Sequence, residues 1–102
     1  MKDKEQFENA SQFLGCYFHQ DFSFEFADPE VALKQFLEEN DAVIRAAVLR
    51  ELRQVVAECD DQALSEFIFE LGCYYSPERH RDITMRAWLD EVIAAIQGSL
   101  AT

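Results

Sequence analysis

Three glycines and two prolines in 102 residues leave few places where a helix must break, so a chain rich in β-turns is excluded. Basic residues are also scarce: nine Lys and Arg stand against twenty Asp and Glu, a formal net charge of −11 at pH 7. A field of that sign repels phosphate backbones and anionic lipids, which disfavours nucleic acid or a membrane surface as direct partners. No run of about eighteen apolar residues exists, and Met1-Lys2-Asp3-Lys4-Glu5 opens on a polar segment instead of an apolar signal core, so a cytoplasmic protein is expected. Cysteines number three, an odd count without dense spacing, which argues against a disulfide framework. They are expected to be reduced and mainly buried.

What is abundant is bulk: nine Phe, three Tyr and one Trp, with 49% of residues apolar. Each ring removes about 150–250 Å² from water when buried, enough for one core in a single domain covering residues 1–102. Helical spacing organises these residues. Phe7, Ala10, Leu14, Tyr17 and Phe18 share one face of a first helix ending near His19 to Asp21. Phe22-Ser23-Phe24-Glu25-Phe26 alternates, and without a partner strand it reads as a packed loop. Asp28-Pro29-Glu30 supplies an N-cap, first-turn proline and first-turn acid for a second helix carrying Leu33, Phe36 and Leu37 to about Asn40. From Asp41, a stripe of Ile44, Ala47, Val48, Leu52, Val55, Val56 and Cys59 marks the third. Asp60 or Asp61 caps a fourth with Leu64, Phe67, Ile68 and Leu71, and Gly72 suits its C-terminal left-handed position. A loop from Ser76 to Asp82 leads to Thr84, which caps a last helix of Met85, Trp88, Leu89, Val92, Ile93 and Ile96 ending at Gly98. The expectation is an all-α fold, a compact bundle of about five short helices.

Chemistry-bearing patterns are thin. Cys16 with His19, and Cys73 with His80, offer zinc-compatible atoms but no tight C-x₂₋₄-C or H-x₃₋₅-H pair, so neither metal nor cofactor is expected. No nucleophile motif or Gly-rich phosphate loop accompanies them, so an enzyme is not expected. Leu14-Gly15-Cys16-Tyr17-Phe18 is echoed by Leu71-Gly72-Cys73-Tyr74-Tyr75, too short for a repeat; aromatic packing is the ordinary reading, and Gly15 within a helix points to close approach of another backbone. Charge distribution says more. Glu5 through Val31 holds six acids and no Lys or Arg, and Gln54 through Glu78 holds six more and again none. Packed side by side, these segments would make a negative face for a cationic protein.

Gln12-Phe13-Leu14-Gly15-Cys16-Tyr17-Phe18-His19-Gln20-Asp21-Phe22 resembles the opening motif of the immunity proteins of bacterial contact-dependent growth inhibition systems. Asp28-Pro29-Glu30, Glu70-Leu71-Gly72-Cys73-Tyr74-Tyr75 and Arg86-Ala87-Trp88-Leu89 resemble its later landmarks in order; Phe22 departs from the Trp of many relatives. The resemblance implies a helical protein that binds the C-terminal toxin domain of such a system, often a nuclease, and blocks it in the cytosol. Tyr17, His19, Gln20, Asp21, Gly72, Tyr74 and Trp88 would then be scaffold, since motifs shared among members facing different toxins cannot select one. The acids expected to contact a basic toxin, one to one, are Glu38, Glu39, Asp41, Asp60, Asp61 and Glu66, as two contact points roughly 25 Å apart. The alternative is an acidic nucleic-acid mimic that regulates a DNA- or RNA-binding protein.

Overall fold

The computed structural model describes residues 4–18 and 29–101. The expected loop Phe22–Phe26, the motif residues His19 to Asp21 and the cap Asp28 lie outside them. After a 3₁₀ turn at Lys4–Phe7 come six helices among the described residues: α1 (Glu8–Tyr17), α2 (Pro29–Glu39), α3 (Ala42–Glu58), α4 (Asp61–Glu70), α5 (Pro77–Arg81) and α6 (Met85–Leu100). No strand occurs among these residues, so the all-α expectation holds for them, and no helix among them is long and apolar enough to cross a membrane.

Three helix starts are those that the sequence announces. Asp41, Asp60 and Thr84 hold extended backbone, and their side chains accept from the amides of Ile44 (3.0 Å), Ala63 (2.8 Å) and Ala87 (3.0 Å). Each satisfies an amide that the helix itself leaves unpaired. α4 stops in a Schellman turn: Cys73 N donates to Ile68 O (3.2 Å), Gly72 N donates to Phe69 O (3.0 Å), and Gly72 takes φ of +113°.

Two boundaries differ from expectation. The Ser76–Asp82 loop contains the short helix α5, because Ser76 accepts from Arg79 N (3.4 Å) and Pro77 occupies the first turn. The sequence Ser76-Pro77-Glu78 resembles Asp28-Pro29-Glu30, which precedes and opens α2. Gly98 does not end α6, which runs to Leu100; glycine weakens a helix but compels no stop where the next residues still pack, and Leu100 lies against the core.

α3 lies at the centre, with α1 on one side and α6 antiparallel on the other. The antiparallel sense is fixed at both ends: Arg45 Nη1 at the start of α3 donates to Ser99 O (3.2 Å), and Arg86 at the start of α6 donates to Val56 O (2.9 Å) and Cys59 O (2.6 Å). Trp88, 3% exposed, meets Phe18 edge-on at 5.0 Å and Tyr75 at 5.0 Å, and Phe13, edge-on to Phe18 at 5.5 Å, carries the ring cluster on to Tyr17 and Phe36. Of the expected α3 stripe, Val48, Leu52, Val55 and Cys59 are buried, but Ile44 is exposed along with Val43, since the buried run begins only at Val48.

The stripe conceals a charge. Glu51 is 4% exposed, and its carboxylate accepts from Ala10 N (2.9 Å) and Asn9 Nδ2 (2.7 Å) in the first turn of α1. Phe7, which precedes α1, offers no side-chain cap. A carboxylate from a different helix therefore supplies the missing acceptor at a positive helix end.

Candidate functional site

The six expected contact acids are all exposed, and five of them fall at opposite ends of the 17-residue α3, roughly 25 Å apart at 1.5 Å per residue, with Glu66 on the helix beyond. At the first junction, Asn40 Nδ2 closes α2 on Phe36 O (3.0 Å), and Tyr17 Oη donates to Glu39 Oε1 (2.7 Å). Burial, and secondly that bond to Glu39, push the Tyr17 hydroxyl above its ordinary value. Asp41 caps α3, whereas Glu38 projects into solvent. Beside these carboxylates stand Val43 (76% exposed) and Ile44, so the junction pairs negative charge with apolar surface.

At the second junction Asp60 caps α4 and Asp61 pairs with Arg86 (2.7 Å). The same guanidinium holds the carbonyls that end α3, so Asp61 orients a structural arginine. Glu66, a turn further along α4, meets only the Gln62 amide at 3.5 Å. The cluster thus combines caps and a salt bridge with two acids, Glu38 and Glu66, that carry little structural load.

The arginines are used differently. Arg45 holds Ser99 O, Arg53 meets Gln97, Arg81 pairs with Glu91 (2.7 Å) and Arg86 closes α3. Four arginines are thus engaged within the molecule: Arg45 and Arg86 at helix ends, Arg81 with a carboxylate and Arg53 with a side-chain amide. Meanwhile the described part of the first acid-only segment, residues 5–18, meets the second at three places. Phe7 meets Phe67 edge-on at 5.4 Å, Ser11 Oγ donates to Leu71 O (2.9 Å), and Tyr74 N donates to Phe18 O (2.7 Å). These three contacts advance in the same sense along residues 7–18 and 67–74, and Glu5, Glu8, Glu66 and Glu70 on the two stretches are all exposed.

No thiol centre emerges among the described residues. All three cysteines are free, with Cys59 and Cys73 buried but Cys16 exposed, contrary to one part of the expectation. Burial pushes the Cys73 thiol up to about 12, so it stays protonated and unreactive at neutral pH. Cys16 faces outward because buried Ala10, Phe13 and Leu14 already define the inner side of α1.

Sequence reasoning missed two features. Glu51 was concealed by its charge, although its position three after Val48 and four before Val55 places it on the buried stripe. Tyr74, which the resemblance implies is scaffold, ties the turn to α1 through its backbone, yet the residue is 51% exposed and its ring lies 5.0 Å from that of Phe69, which is 55% exposed. Gln62, Glu66 and Phe69 follow the i, i+4, i+7 spacing of one outward stripe, a signal that was available.

Residues 6–96 match the family model described as CdiI immunity protein. No curated protein and no solved structure matches the chain.

Proposed function

The chain belongs to the CdiI immunity protein family, which implies neutralisation of a toxin of a contact-dependent growth inhibition system, and from that premise we propose that it does so by binding a basic nuclease toxin domain in the cytosol. In this reading it carries no catalytic group. One copy binds one toxin domain and holds it through exposed carboxylates at the two ends of α3. The observation that supports it is electrostatic: the cluster acids are exposed, while four arginines are drawn into internal bonds. A nuclease must concentrate positive charge where it holds a phosphate backbone, and a negative surface competes for that site and speeds encounter. Val43 and Ile44 add apolar area beside Glu38, Glu39 and Asp41, as an interface core needs.

The test is co-expression of the chain with the toxin domain encoded beside it. Co-purification as a 1:1 complex, loss of nucleic-acid cleavage in vitro and protection of cells are expected. A stable complex that leaves cleavage intact would sink the inhibitory reading. Binding to a housekeeping DNA- or RNA-binding protein, with no affinity for the toxin, would favour the nucleic-acid mimic instead.

A further inference from the structure

We propose that the exposed pair Phe69 and Tyr74 is an aromatic anchor of the toxin interface and receives a lysine or arginine side chain of the toxin on its ring faces; this rests on the toxin-binding reading above. The rings are 5.0 Å apart at an interplanar angle of 57°, so they form one aromatic ledge. Both are about half exposed at the C-terminal end of α4, where the other large side chains, Leu71, Cys73 and Tyr75, are buried.

The ledge is rigidly mounted. The Schellman turn fixes the backbone between the two rings, Tyr74 N is tied to Phe18 O, and Gly72 sits so near α1 that a Cβ added there would come within 3.1 Å of Gly15 Cα. Ordering entropy is therefore spent before any partner arrives. Beside the ledge lies a cleft of about 350 Å³, whose lining includes Cys73 and Met85.

Charge selects the occupant. Glu66 and Glu70 flank Phe69 on α4 and Glu78 stands at the cleft, against Arg79 as the base lining it. α1 and α4 both end here without a basic residue in the last turn, so the negative ends of two helix dipoles are directed at the same place. The face of an aromatic ring is itself negative, and a cation near it is attracted more strongly as water is excluded. Carboxylates, dipoles and rings all favour a cationic side chain, whereas Val43 and Ile44 offer aliphatic surface at a positive helix end. Aromatic residues surrounded by polar neighbours are also where interface energy concentrates.

The experiment measures binding of the adjacent-gene toxin domain, catalytically inactivated, to Phe69→Ala, Tyr74→Ala, Tyr74→Phe and Tyr74→Leu by surface plasmon resonance, with thermal melting as the fold control. Both alanine variants should melt like wild type and bind at least about tenfold more weakly, chiefly through faster dissociation. Tyr74→Phe, which keeps the ring, should retain affinity, and Tyr74→Leu, which keeps bulk without the ring face, should not. Alanine variants that bind within about twofold of wild type would overturn the anchor, and full affinity in Tyr74→Leu would overturn the cationic occupant. Wild-type protein that fails to bind the toxin at all would overturn the toxin-binding reading itself, a result distinguishable from either.

Discussion

Glu51 shows how a single carboxylate links two helices. Replacing it with alanine leaves the amides of Ala10 and Asn9 without their acceptor in a buried place, at a cost of about 2–3 kcal/mol, consistent with hydrogen bonds to a charged group. Glu51→Gln should lose less, because its carbonyl still reaches Ala10 N and the Asn9 amide can turn to face the new NH₂. Urea midpoints in the order wild type, Gln, Ala check this; an alanine variant as stable as wild type would show that the bond contributes nothing. Cys73 gives a pH dependence at the same scale. Its folded value near 12 lies above the ordinary 9.0, so its stabilising contribution is complete below about pH 9 and is lost as pH rises towards 12, where the unfolded thiol ionises and the folded one does not. Wild type should therefore lose stability more steeply between pH 9 and 11 than Cys73→Ala, in denaturant titrations at each pH. Parallel slopes would contradict it.

At the scale of elements, the two glycines of the echoed motif divide their roles. Gly72 holds positive φ and abuts Gly15, so Gly72→Ala should cost at least about 1–2 kcal/mol from backbone strain, with a steric term besides. A Cβ on Gly15 meets nothing within 4 Å, so Gly15→Ala should instead stabilise by about 1 kcal/mol through helix propensity. Melting curves of the two variants should move in opposite directions; a fall in both would mean that α1 cannot accept a side chain there. This asymmetry was not legible in the sequence, where Gly15 looked like the position under pressure. What was legible were the elements with local chemistry: Asp41, Asp60 and Thr84 each cap the helix that follows, and the apolar periods of α4 and α6, and of α3 from Val48 onward, are those found. What escaped depended on distant partners. Glu51 is explained only by the first turn of α1, forty-one residues away in sequence from Ala10, and the outward turn of Tyr74 follows from its backbone tie to Phe18. Spacing placed five of the six candidate acids, all but Glu66, at helix junctions, but that Asp61 serves Arg86 and Glu39 serves Tyr17 required the tertiary structure.

For the whole molecule, the remaining question is whether two acid groups at opposite ends of α3 act on a partner as one field or two contacts. Charge reversal is a blunt test, because Asp41 and Asp60 are caps and Asp61 orients Arg86, so lysine at those positions would disturb the fold along with the field. Neutral isosteres separate the effects: asparagine remains a good N-cap, and glutamine at Glu39 still accepts from Tyr17. One variant would therefore carry Glu38→Gln, Glu39→Gln and Asp41→Asn, and a second Asp60→Asn, Asp61→Asn and Glu66→Gln. Each should melt near wild type and associate more slowly with the toxin domain at low salt, with the deficit shrinking as screening shortens to about 3 Å near 1 M salt. Groups so far apart share no partner, so their effects on the free energy of binding should add in the combined variant. A set whose loss also speeds dissociation marks a carboxylate buried against the toxin, whereas a set that changes only the association rate marks the rim. Unchanged association, dissociation and cell protection in both variants would remove the six acids from the interface and leave the aromatic ledge at the end of α4 to account for binding.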